Sequence, residues 1–167
     1  MHVTLINPNI CMQKGDFFGT GIPYMPLSLA NIAGYLRSKQ IPLTVIDAFG
    51  ENPLQMHSLG NLHVQGLTVA EIVSRVPQGT SAICVYAAKV VADTVTKEIV
   101  KALRAKFAVP IIMLENTQSV VAYSLKIVGK DFLALGADYC IIGEAEYRLE
   151  ALLNAIDAKK VPDVDGL

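Results

Sequence analysis

The sequence is poor in cysteine, in charge and in long apolar runs. Cysteine occurs three times, at Cys11, Cys84 and Cys140, and no two lie within a C-x-x-C spacing. That excludes a local iron–sulfur or zinc signature, and the odd count argues against a disulfide framework. Charged residues make up only 17% of the chain, and the formal net charge is -1. Such a balance leaves no electrostatic footprint for nucleic acid or for an anionic membrane. No apolar run approaches the ~20 residues of a bilayer span. Met1-His2-Val3-Thr4 lacks the basic start and apolar stretch of a signal peptide, so the cytoplasm is the expected compartment. His2, His57 and His63 form no metal-ligand spacing with Cys or carboxylate and are expected to face solvent. No Ser-His-Asp or Cys-His signature stands out.

What is present is apolar material, 52% of 167 residues, enough to build the core of one domain. Five short apolar runs, rich in β-branched residues and bounded by turn residues, read as strands: Val3 to Ile6, Leu43 to Ile46, Ala82 to Tyr86, Ile111 to Leu114 and Tyr139 to Ile142. Most are apolar throughout, the mark of parallel strands covered on both faces. Cys84 and Cys140 fall inside such runs and read as packing residues, whereas Cys11 falls in a loop.

Segments of helical period alternate with the strands. Leu29, Ile32, Ala33 and Leu36 define one buried stripe. Thr68 and Glu71 form a T-x-x-E capping box, and that helix should stop near Pro77. Asp93 reads as the N-cap of a third helix, carrying Val95, Ile99, Ala102 and Leu103. A fourth runs from Ser124 to Leu135 and is closed by Gly136, and Leu149, Leu152, Leu153 and Ile156 mark a fifth. The pattern predicts an α/β domain over residues 1–158. It is flavodoxin-like (Rossmann-type): a doubly wound five-stranded parallel sheet in the order 2-1-3-4-5. Residues 159–167 read as a polar linker.

In such a fold ligands bind beyond the carboxyl ends of the strands. The connection after the first strand, Asn7 to Tyr24, is far longer than the usual βα loop and holds Gly15, Gly19, Gly21, Phe17, Phe18 and Tyr24. A loop of this kind is functional, or else a docking or disordered segment. Its glycines do not have the G-x-G-x-x-G spacing of a dinucleotide site, and no P-loop motif occurs. Asp47 stands where a ribose-binding acid would, but without that fingerprint it reads as a cap or turn former. A phosphorelay receiver would need carboxylates after the first and third strands. The chain has Asn7-Pro8-Asn9 and Tyr86-Ala87-Ala88-Lys89 there.

Several segments, in order, resemble the N-terminal cobalamin-binding domain of cobalamin-dependent radical SAM enzymes. Leu5-Ile6-Asn7-Pro8-Asn9 is similar to the family's opening "INPP". Gly21-Ile22-Pro23-Tyr24-Met25-Pro26-Leu27-Ser28-Leu29-Ala30 resembles "G…PPLGLAYLAAYLR", and Val45-Ile46-Asp47-Ala48 resembles "V-x-v-i-D-a". The run from Gly136 to Glu146 resembles "G-x-D-y-v-v-x-G-E-G-E", and Val161 to Leu167 resembles the joint leading into the radical SAM barrel.

The resemblance implies a domain that holds cobalamin over the strand ends. S-adenosylmethionine and a 4Fe–4S cluster would belong to a barrel absent from these residues. The enzyme class implied is a methyltransferase or a relative of the anaerobic cyclase of chlorophyll synthesis, with this domain binding but not catalysing alone. Carried over by position, the cofactor-binding residues are Asn9, Gly21, Pro23, Tyr24, Ala87, Ala88, Asn116, Thr117, Gln118, Gly143, Glu144 and Glu146. Small Ala87 and Ala88 would let a corrin ring approach, and Asn116, Thr117, Gln118 and Ser119 would meet its amides or nucleotide tail. No catalytic or metal-ligating residue is expected.

The chain departs from the family twice. It has no D-x-H-x-x-G motif, and it carries Leu114-Glu115-Asn116-Thr117 where the family has "GG-x-H". Two alternatives follow: a degenerate module of the same ancestry that docks substrate or partner, or a stand-alone small-molecule binder.

Overall fold

The computed structural model describes residues 1–15, 26–87, 92–115, 117 and 124–167. Five parallel strands, β1 (Val3–Asn7), β3 (Leu43–Asp47), β6 (Ala82–Ala87), β7 (Ile111–Glu115) and β8 (Tyr139–Ile141), form one sheet. Their order is β3-β1-β6-β7-β8, which is 2-1-3-4-5 when the sheet strands are counted alone. The helices are α1 (Leu27–Ser38), α2 (Val69–Arg75), α3 (Asp93–Lys106), α4 (Leu125–Ala134) and α5 (Glu146–Asp157).

Apolar residues on both strand faces produce two cores, one on each side of the sheet. On one side Val3, Leu5, Cys84, Tyr86, Ile112 and Leu114 pack against α1 and α5. On the other, Ile6, Ile46, Val85 and Met113 pack against α2, α3 and α4. Alternate residues of each strand thus serve opposite layers, which is why the strands read as continuous apolar runs.

The local signals hold in detail at two helix ends, the Thr68–Glu71 box and the Gly136 stop, and a third end is capped one residue before the expected helix interior. The Thr68 side chain accepts from Glu71 N–H while Glu71 accepts from Thr68 N–H at 2.7 Å, a complete capping box. Ser124 caps α4 by accepting from Lys126 N–H. Gly136, just past α4, takes φ +106, and a Cβ there would meet Arg104 Cγ at 2.6 Å. The start of α3 differs by one residue from the sequence expectation. Ala92 is the N-cap and Asp93 is the first helical residue, where its carboxylate pairs with Lys97 one turn on at 2.9 Å. An acid favours the positive end of a helix from either position.

The capping box gives a pH prediction. Glu71 is held below the ordinary carboxyl value of 4.5, first by the Thr68 backbone N–H and then by the Thr68 hydroxyl. The folded chain therefore binds that proton less readily than the unfolded chain. The stabilisation is present above pH 4.5 and is lost as pH falls through the depressed folded-state value. Thr68→Ala should cost about 1 kcal/mol at neutral pH. It should also flatten the acid limb of a urea-unfolding series taken from pH 7 downward.

A second, antiparallel sheet was not expected. Its strands are β2 (Ile10–Gln13), β4 (Met56–Leu59) and β5 (Leu62–Gln65), in the order β2-β5-β4. The first part of the long connection after β1 is therefore strand. Cys11 lies in it, half-buried, and burial pushes its thiol up to about 12. His57 and His63 lie in β4 and β5, and all three histidines are half-buried instead of facing solvent. Gly60-Asn61, with Gly60 at φ +54, makes the two-residue hairpin turn between Leu59 and Leu62.

Asn9 and Gly66 join this small sheet to the large one. Asn9, 2% exposed, donates through Nδ2 to Gln65 O at 3.2 Å and Leu67 O at 2.7 Å. Leu67 N–H in turn donates to Ala48 O at 2.6 Å, just beyond β3.

Candidate functional site

The carboxyl ends of all five parallel strands form one edge, and α1, α3, α4 and α5 each begin at that edge. Every βα connection of the sheet reaches it, so residues far apart in sequence converge there. At the ends of β1 and β3, Asn7 and Asp47 are register partners, and Asn7 Nδ2 donates to Asp47 Oδ1 at 2.8 Å. At the ends of β6 and β7, Ala87 and Glu115 are register partners. Ala87 is 1% exposed.

Glu115 turns sideways instead of upward. Its Oε1 accepts from Leu125 N–H at 2.7 Å, at the start of α4. Its Oε2 accepts from Gly143 N–H at 2.5 Å, in the turn after β8. One carboxylate thus closes the gap between β7 and β8 and answers two backbone donors, one of them at a helix N-terminus.

Below this edge, Tyr86 of β6 bonds to Ser28 of α1. Burial, more than the nearby Glu146 charge, raises the tyrosine hydroxyl above its ordinary value, and the Ser28 bond opposes this. The edge carries the carboxylates Asp47, Asp93, Glu115, Glu144 and Glu146. Two described cations next to it in sequence are already committed. Lys97 pairs with Asp131 and Asp93 at 2.8 and 2.9 Å. Arg148 donates to Ile142 O at 2.8 Å and pairs with Asp165 at 3.0 Å.

Of the residues singled out from sequence, Ala87, Thr117, Gly143, Glu144 and Glu146 belong to this edge. Thr117 is exposed. Glu146 opens the first turn of α5. Asn9 follows β1, with its amide group given to the small sheet. Gly21, Pro23, Tyr24, Ala88, Asn116 and Gln118 lie outside the described residues.

Sequence reasoning did not single out the Asn7–Asp47 pair, the Glu115 bridge or Arg148. Each depends on register or on a turn brought across from another strand. Among the described residues no group of three or more His, Cys, Asp or Glu could hold a metal ion, and no helix is long and apolar enough to cross a membrane.

A five-stranded parallel sheet in the order 2-1-3-4-5, sandwiched between helices, defines the chain as a flavodoxin-like α/β domain with an added antiparallel sheet. No protein-family model, no curated protein and no solved structure matches it.

Proposed function

We propose that this chain is the cobalamin-binding domain of a radical SAM enzyme. The observation that carries this reading is convergence. The segments around Asn7, Asp47 and Gly143 to Glu146, which bear the resemblance, lie far apart in sequence, yet they meet at one edge of the sheet. That edge is where an α/β domain of this order takes a ligand.

The described residues fit the group. A corrin ring is broad, flat and fringed with amides, so it needs a low shelf with uncharged or acceptor groups around it. Asn7 is tied to Asp47, Glu115 is turned onto backbone amides, and Ala87 ends in a methyl group. Ala87 would lie under the ring, and Thr117, Glu144 and Glu146 would meet its amide fringe. When bound, cobalamin supplies methyl carriage or related radical chemistry, shared with a barrel that bears S-adenosylmethionine and a 4Fe–4S cluster. The chain's own part is to bind and orient, and the substrate is chosen by that barrel.

One observation favours a second reading, a module of the same ancestry that docks a partner and no longer binds cobalamin. The Glu115 carboxylate fills the space between β7 and β8 where the family has glycine.

A visible-absorption titration of the purified chain with hydroxocobalamin, followed by desalting, decides between them. Retained colour with shifted corrin bands is the expected result. A colourless, folded protein would favour the docking module.

A further inference from the structure

The chain beyond α5 turns back onto the domain. Val164 packs on the apolar layer shared with α1 and α5. Gly166 O accepts from Ile142 N–H at 2.8 Å, directly after β8, and Arg148 Nη2 reaches Asp165 at 3.0 Å. The same guanidinium donates through Nη1 to Ile142 O at 2.8 Å and Glu144 O at 3.2 Å.

Two glycines make room for it. Gly143 sits at φ +78, and a Cβ there would come within 2.9 Å of Arg148 Nη1. Gly166 sits at φ +79, and a Cβ there would lie 3.0 Å from Ile142 O and 3.3 Å from Arg148 Cζ. Both turns need a left-handed backbone and close approach. Asp165 is exposed, so its ion pair contributes little. The backbone bond, the packed Val164 and the guanidinium hold the segment. On its far side the same turn is held by Glu115 through Gly143 N–H.

We infer that residues 163–167 are a strap that, through Arg148, sets the turn closing the ligand edge at β8. Strap docking and ligand binding at that edge are therefore linked, each favouring the other. The linkage rests on reading the strand-end edge as the ligand site, and not on the ligand's identity.

Hydrogen exchange on the full chain tests it. Gly166→Ala strains the left-handed strap turn, and its Cβ also presses on Ile142 O and Arg148 Cζ, so the turn is read at residues 143–146, beyond that contact. The substitution should speed exchange about tenfold in residues 163–167 and at Ile142, whose N–H the strap holds, and also in residues 143–146, while Val3–Asn7 keeps its protection. Arg148→Ala should do the same. Faster exchange confined to residues 163–167 and Ile142 would overturn the inference, as would no change in either segment. If Arg148→Ala does not fold, Gly166→Ala decides alone. Neither comparison contains cobalamin, so a chain that fails to retain hydroxocobalamin leaves this result standing. Where it does retain the corrin, exchange in residues 163–167 should slow on loading; an unchanged rate would refute the linkage.

Discussion

Gly66→Ala should cost roughly 3 kcal/mol and lower the melting temperature by about 10 °C. Gly66 sits at φ +111, where a side chain is strained, and a Cβ would fall 2.2 Å from Ala48 O and 2.8 Å from Phe49 Cα. Both neighbours are backbone, so relief requires moving the chain beyond β3. That movement would break the Leu67 N–H bond to Ala48 O and the Asn9 bonds to Gln65 and Leu67. Gly34 is the internal control. It lies on α1, and a Cβ there would meet nothing within 4 Å, so Gly34→Ala should stabilise by about 0.5–1 kcal/mol. Paired thermal melts give both signs in one experiment. Equal effects at the two positions would mean that the junction of the sheets is not held as described.

Ala87→Phe should abolish retention of hydroxocobalamin. Ala87 ends the middle strand of the sheet beside Glu115, with its methyl in the core layer shared with α2, α3 and α4, so a phenyl group cannot be housed without displacing the strand end on which the proposed ring would rest. Overpacking costs about 1–3 kcal/mol, which a domain of ordinary stability survives. Circular dichroism and a melt establish that the variant is folded before its colour is read. If Phe is not tolerated, Ala87→Val adds less bulk and should weaken retention in proportion. Unchanged retention by a folded Ala87→Phe chain would remove the strand-end shelf from consideration.

Much of the fold was legible because its signals are local. The expected strand cores agree with the observed ones to within one residue at either end. The capping box and the Gly136 stop are each contained in a few neighbouring residues, so a linear reading finds them, whereas Ser124, read as the first residue of its helix, is the N-cap just before it. The strand order follows from handed crossovers and two-sided burial, which are general rules. Asp93 shows the limit of such reading: any acid near a helix start is favourable, so its identity does not separate cap from first turn.

The small sheet was missed although it has a signal. Gly60-Asn61 between Leu59 and Leu62 is a two-residue hairpin turn. Its flanks, Met56–Leu59 and Leu62–Gln65, mix His, Ser and Gln with apolar residues. Short, polar strands of this kind gain their stability from a third strand, here Ile10–Gln13, which comes much earlier in the chain.

Hydrophobic period, helix caps and chain handedness are properties of short runs of residues. They settle the layered α/β architecture, the strand order, most helix ends and the edge at which a ligand should be sought. What that edge is made of comes from contacts between distant parts of the chain. Asn7 meets Asp47 because β1 and β3 are in that register. Glu115 bridges α4 and the turn after β8, and Arg148 lies between the turns at Gly143 and Gly166. A side chain's partner across strands is set by three-dimensional register and packing, and those are consequences of the whole fold, not of any local run of residues.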